Sequence, residues 1–115
     1  VTIDTDQPCL LIYPLPEWEL IEEKIEALPS FNPTTRRIQR LLIGHATEVE
    51  VDANGRMLLS NPLREYAQLG KKVVLIGQGK KFELWDETLW NERMESWLGD
   101  GSGDEMPAAL AELTL

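Results

Sequence analysis

The residues with the clearest capacity for chemistry are Asp52-Ala-Asn-Gly-Arg56. Asn54 and Gly55 both tolerate positive φ, so the pair marks a tight hairpin turn. A turn of that kind projects an arginine with little entropy lost. Its guanidinium can bond bidentately to guanine O6 and N7, or grip a phosphate. Spacing alone leaves two roles open. Either Asp52 orients an arginine that contacts nucleic acid, or Asp52 satisfies the backbone of the turn and Arg56 is a strand residue facing water.

No other constellation promises catalysis. His45 is the one histidine, placed where a helix ends, with no nucleophile beside it in sequence. Gly77-Gln-Gly-Lys80 lacks the spacing of a phosphate-binding loop and joins two strands instead of opening a helix. Asp100-Gly-Ser-Gly-Asp-Glu105 has the composition of a calcium loop but not its alternating ligands. Cys9 is the one cysteine and precedes Leu10-Leu11-Ile12, so it reads as a small buried thiol in a reducing cytoplasm. The expectation is therefore no enzyme, no cofactor, no metal and no small-molecule substrate. The longest apolar runs fall far short of the ~20 residues that span a bilayer, so no membrane association is expected.

The net charge of −9 argues at first against nucleic acid, whose binding is dominated by cations facing phosphates. The charge is unevenly distributed. Between Thr34 and Lys81 lie nine bases (Arg36, Arg37, Arg40, Arg56, Arg64, Lys71, Lys72, Lys80, Lys81) against four acids (Glu48, Glu50, Asp52, Glu65). The remainder holds two bases, Lys24 and Arg93, against sixteen acids. Such asymmetry suits a DNA-facing side opposite an acidic one. Arg36, Arg37 and Arg40 are candidate phosphate contacts or a solvated helix face. Lys71 and Lys72, with Lys80 and Lys81, are candidate phosphate contacts or protection for strand edges.

The elements that position these residues follow from patterning. Val1 to Tyr13 reads as a hairpin broken at Asp6-Gln7-Pro8. A helix starts at Pro16, carries Trp18, Ile21, Ile25 and Leu28 at helical spacing, and stops at Pro29. Asn32 caps a second helix with Pro33 at its first position and Ile38, Leu41 and Leu42 on its buried stripe, ending at Gly44-His45. Val49 and Val51 alternate with Glu48 and Glu50 as a strand, which the Asn54-Gly55 turn returns through Met57 to Leu59. Ser60 or Asn61 caps a short helix from Pro62, with Leu63, Tyr66 and Ala67 inward and Gly70 as its stop. Val73 to Ile76 and Phe82 to Trp85 form a second hairpin across Gly77 to Lys80. Asp86 caps the last helix, which buries Leu89 or Trp90, Met94 and Trp97. Residues 99–115 are glycine-rich and acidic and are expected to be a flexible tail. Hairpins interleaved with helices make an α+β chain.

An internal repeat organises these elements. A gap-free shift of 72 residues lays Val1 on Val73, Ile3 on Leu75, Leu10 on Phe82, Ile12 on Leu84, Tyr13 on Trp85 and Trp18 on Trp90. The aromatic pair five residues apart recurs in both copies. The same shift places a counterpart of Asp52 to Arg56 about twenty positions before Val1. A first copy of the motif and its strands is therefore expected upstream.

At these residues the sequence resembles the MraZ family of bacterial transcriptional regulators. The resemblance lies in Cys9-Leu-Leu-Ile-Tyr-Pro-Leu-Pro-Glu-Trp18, Arg36-Arg-Ile-Gln-Arg-Leu-Leu-Ile-Gly-His-Ala46, Asp52-Ala-Asn-Gly-Arg56 and Lys81-Phe-Glu-Leu-Trp-Asp86, and extends to Trp97. It implies tandem AbrB-like swapped-hairpin half-domains around a pseudo-two-fold, β-barrel-like core. Residues 1–46 would be the later part of one half with its linking helices, and residues 47–98 the second half. It further implies a homo-oligomeric ring that binds double-stranded DNA at short direct promoter repeats and represses its own division and cell wall gene cluster. The expected location is cytoplasmic and nucleoid-associated. The D-x-x-x-R signature carries over onto Asp52 and Arg56, with Asn54 and Gly55 forming the turn between them. The competing reading is an oligomeric protein-interaction module without DNA binding, in which Trp18, Trp85, Trp90 and Trp97 line subunit contacts.

Overall fold

The computed structural model describes residues 1–99, so the expected tail lies almost wholly outside the described residues. The chain is α+β, as expected. Strands β1 (Thr2–Ile3) and β2 (Leu10–Ile12) precede helices α1 (Leu15–Glu26), α2 (Pro33–Gly44) and α3 (Asn61–Tyr66). Strands β3 (Val73–Gln78) and β4 (Lys81–Asp86) and helix α4 (Glu87–Gly99) follow. The four strands form one antiparallel sheet in the order β1-β2-β4-β3. It is open at β1 and β3, so the expected barrel-like closure is not formed among the described residues.

Local chemistry sets the helix ends. Asn32 Oδ1 accepts from the Thr34 amide at 2.8 Å, a cap worth about 1 kcal/mol. Asp86 caps α4 by accepting from Leu89 N at 3.3 Å, while its other oxygen accepts from Gly70 N at 2.9 Å. One carboxylate thus fixes both the start of α4 and the link into β3. A Cβ added at Gly70 would lie 3.1 Å from that oxygen, which accounts for glycine there. The expected helix stop at Gly70 is displaced, because α3 ends earlier. Gln68 takes φ 54°, Gln68 N donates to Glu65 O at 3.1 Å, and Leu69 N donates to Arg64 O at 3.0 Å. These paired bonds make a Schellman ending with a glutamine where glycine is usual.

The sheet register tests the repeat. Leu10 faces Leu84, Leu11 faces Glu83 and Ile12 faces Phe82. A local two-fold axis through the Leu11–Glu83 pair therefore matches Leu10 to Phe82 and Ile12 to Leu84, at the expected shift. The outer strands depart from it. Ile3 pairs with Leu10 but Gly77 pairs with Phe82, so Ile3 corresponds to Gly77 and not to Leu75. The first hairpin's connection is two residues longer. Asp4 holds that broad loop by accepting from Gln7 N at 3.3 Å, and Gly79 (φ 67°) makes the tight turn of the second. An even offset preserves sheet parity, so the apolar faces still agree.

One cross-sheet row, Ile3, Leu10, Leu84 and Leu75, runs from the core to the surface. The first three are at most 6% exposed and pack with Leu63 and Ala67. Leu75 is 56% exposed. On the opposite face Trp85 is fully buried and meets Trp90 and Trp97 edge-on at centroid distances of 5.5 and 5.8 Å. Trp97 remains 44% exposed, so α4 covers Trp85 without burying its own stripe. Tyr13 and Trp18 pack at 5.8 Å, which repeats the Trp85–Trp90 contact at the matching positions.

The expected strands on either side of the Asn54-Gly55 turn are not formed. Residues 47–51 and 57–59 are irregular, because the ladder closes at the turn and extends no further. Alternation in Glu48-Val49-Glu50-Val51 sets which side is apolar, but it supplies no partner strand. No helix among the described residues is long and apolar enough to cross a membrane.

Candidate nucleic-acid interface

The turn from Asp52 to Arg56 is built around one carboxylate. Asp52 Oδ1 accepts from the backbone N–H of Asn54 at 2.9 Å and of Arg56 at 2.8 Å. Gly55 N donates to Asp52 O at 3.0 Å, Asp52 N donates to Arg56 O at 2.9 Å, and Gly55 has φ 77°. Four hydrogen bonds therefore fix five residues. All five are exposed. Asp52 positions Arg56 through its backbone and not by clasping its guanidinium. The guanidinium is left available, since the ion pair found among the described residues is Lys80–Glu17, at 3.8 Å.

The other candidate cations are also at the surface. Arg36, Arg37 and Arg40 lie exposed on α2, and Lys71 and Lys72 lie exposed just before β3. Lys72 is tied down only by its backbone, whose carbonyl accepts from Glu87 N at 3.0 Å. The Lys80 ion pair is solvent-exposed and contributes little. His45 Nδ1 lies 2.7 Å from Leu41 O, a helix-end contact that matches its expected position.

A half-buried polar cluster was not legible in the sequence. Asp4, Cys9 and Glu83 bring one oxygen or sulfur each within 4.8 Å of one another, although they are far apart in sequence. Their atoms are occupied by protein donors. Asp4 Oδ2 receives the Gln7 amide and the Cys9 thiol, and Glu83 Oε1 receives the Trp85 indole at 3.0 Å. Burial, then the charges of Glu83 and Asp4, push the Cys9 thiol far above the usual range. It is held neutral and is a poor nucleophile. Tyr66 Oη donates to Asp4 O at 2.5 Å, and burial followed by the Asp4 charge raises its hydroxyl as well.

A family described as "MraZ protein, putative antitoxin-like" matches residues 1–41 and again 42–98. The chain is 58% identical over 117 aligned positions to a protein of Coxiella burnetii (strain Dugway 5J108-111) named "Transcriptional regulator MraZ". That match covers 100% of this chain and 77% of the relative. Proteins with the same name from Halorhodospira halophila and Legionella pneumophila (strain Corby) are 57% and 54% identical. These matches cover 99% and 100% of this chain, and 76% and 77% of the relatives.

Proposed function

The chain belongs to the MraZ family, and on that premise we propose that it is a transcriptional regulator that binds double-stranded DNA through the Asp52–Arg56 turn. The observation that carries this reading is the turn itself, an exposed arginine on a backbone clamped by Asp52 at both Asn54 and Arg56. A pre-fixed backbone lowers the ordering cost of a base or phosphate contact. Asn54 and Gly55 shape the approach, and Arg36, Arg37, Arg40, Lys71 and Lys72 hold phosphates around it.

The finer proposal is a cytoplasmic, nucleoid-associated repressor of its own division and cell wall gene cluster, bound to short direct promoter repeats. Residues 1–46 and 47–98 then act as AbrB-like swapped-hairpin halves within a homo-oligomeric ring. The repeated aromatic contacts and the two successive family matches support the tandem reading. The exposed apolar residues Val73, Leu75 and Phe82 support assembly, because surface of that kind marks association. Linked copies of a weak site gain affinity by avidity, which offsets the net charge of −9.

The test is fluorescence anisotropy with duplex carrying the upstream repeats. Arg56→Ala should weaken binding by roughly 5- to 150-fold, in line with ~1–3 kcal/mol for a bidentate contact, without changing oligomer size. Unchanged affinity would remove Arg56 from the interface. Unchanged assembly with no DNA binding by the native protein would instead favour the interaction-module reading.

A further inference from the structure

We infer that Asn54 is a site of spontaneous covalent modification, deamidation to aspartate and isoaspartate, which Asp52 restrains and which switches off the contact made by Arg56. The functional consequence rests on the DNA-binding role proposed above for the turn. Four asparagines occur in the chain, and the residue after each sets its chemistry. Asn32 and Asn61 precede Pro33 and Pro62, whose nitrogens carry no proton and cannot close a ring. Asn91 lies within α4 before Glu92, where the helix holds the backbone. Asn54 precedes Gly55, both are exposed, and a Cβ added at Gly55 would meet nothing within 4 Å. Among the described residues, Asn54 is tied by its backbone amide and its side-chain amide has no hydrogen-bond partner.

The reaction consumes only water. The Gly55 backbone nitrogen attacks the Asn54 side-chain carbonyl carbon, the bond from that carbon to Nδ2 breaks, and ammonia leaves with the proton that Gly55 gives up. The cyclic imide that results takes up one water at either carbonyl and opens to aspartate or isoaspartate. Nothing is oxidised or reduced. Asp52 opposes the first step in two ways. Its backbone carbonyl accepts from Gly55 N at 3.0 Å and so retains the proton that must be lost. Its carboxylate, with Oδ1 2.9 Å from Asn54 N, disfavours a second negative charge on the adjoining amide. These contacts all lie between Asp52 and Arg56 and do not depend on more distant parts of the chain. Either product sets a new carboxylate between Asp52 and Arg56, where it repels phosphate. Isoaspartate also lengthens the backbone inside the clamp, so the bonds to Asp52 no longer close together.

The folded protein is aged in mildly alkaline buffer, and conversion of each asparagine to acid is followed by peptide mapping with mass spectrometry. Asn54 should convert several times faster than Asn91. Asp52→Ala should raise the rate at Asn54 severalfold and leave Asn91 unchanged, which separates loss of the clamp from general unfolding. The aged acidic fraction, isolated by anion exchange, and fresh Asn54→Asp should both bind duplex at least roughly tenfold more weakly than fresh native protein, as expected for a like charge facing phosphate. Asn54→Gln, which would have to close a larger ring, should show the same affinity fresh and aged. Equal rates at Asn54 and Asn91, an Asp52→Ala rate equal to the native one, or undiminished affinity of the acidic fraction would each overturn the proposal. Absence of DNA binding by the fresh native protein would instead overturn the function on which the consequence rests, and the peptide maps would still decide the reaction at Asn54.

Discussion

At Asp52 a single carboxylate holds the turn through its backbone, and the DNA-contacting role of Arg56 is proposed on top of that contact. The carboxylate oxygen lies 2.8 to 2.9 Å from two backbone amides, so its effect on Arg56 acts through the chain. Asp52→Asn keeps an acceptor in the same place, whereas Asp52→Ala removes it. Asp52→Ala should therefore loosen the turn by about 1 kcal/mol and reduce DNA affinity, and Asp52→Asn should restore most of both. Retention of affinity in the alanine variant would mean that the turn needs no clamp. The turn was legible because Asn-Gly chemistry is local, whereas the cluster at Cys9 was not, because Asp4 and Glu83 meet only through the sheet. That cluster predicts a pH dependence. Cys9 and Tyr66 are both raised in the folded chain, so it holds their protons more tightly than the unfolded chain does. Their stabilisation is complete below the unfolded values, about 8.5 and about 10, and is lost as pH rises through the folded ones. Denaturant midpoints should fall above about pH 9, and Cys9→Ala should remove the earlier part of that fall. A flat profile to pH 11 would contradict the cluster's electrostatics.

At the scale of elements, caps were readable and pairings were not. Asn32 and Asp86 act where the sequence places them, since a cap involves only the next two or three residues. The strands expected at Val49–Val51 and Met57–Leu59 failed because alternation specifies a face and not a neighbour. The repeat was right for the inner strands and two residues out for the outer ones, since loop length is invisible to a gap-free shift. The displaced end of α3 gives a direct test. Gln68 occupies a left-handed conformation that disfavours side chains, so Gln68→Gly should stabilise the chain by roughly 0.5–1 kcal/mol, seen as a higher thermal midpoint. Asp86→Ala should do the opposite by about 1–3 kcal/mol, losing the α4 cap and the Gly70 bond together. A neutral outcome for both would mean that these ends fray independently of the fold.

For the whole molecule, the governing quantity is the mismatch between an acidic chain and an acidic proposed ligand. Composition showed the mismatch, and the surface placement of Arg36, Arg37, Arg40, Lys71 and Lys72 shows that the cations of the middle segment are open to solvent. Each phosphate contact releases counterions, so the logarithm of affinity should fall linearly with the logarithm of salt, at about 0.9 per contact. The measurement is a salt series of anisotropy titrations for the native protein, Arg56→Ala and the triple variant Arg36→Ala/Arg37→Ala/Arg40→Ala. If the helix arginines hold phosphates, the triple variant should have a shallower slope and weaken specific and random duplex alike. If Arg56 reads a base, its loss should narrow the gap between specific and random duplex more than it changes the slope. Identical slopes in all three proteins would place the cations of α2 away from the DNA. An affinity insensitive to salt would exclude phosphate contacts as the basis of binding, and the net charge of −9 would then stand as an argument against the interface itself.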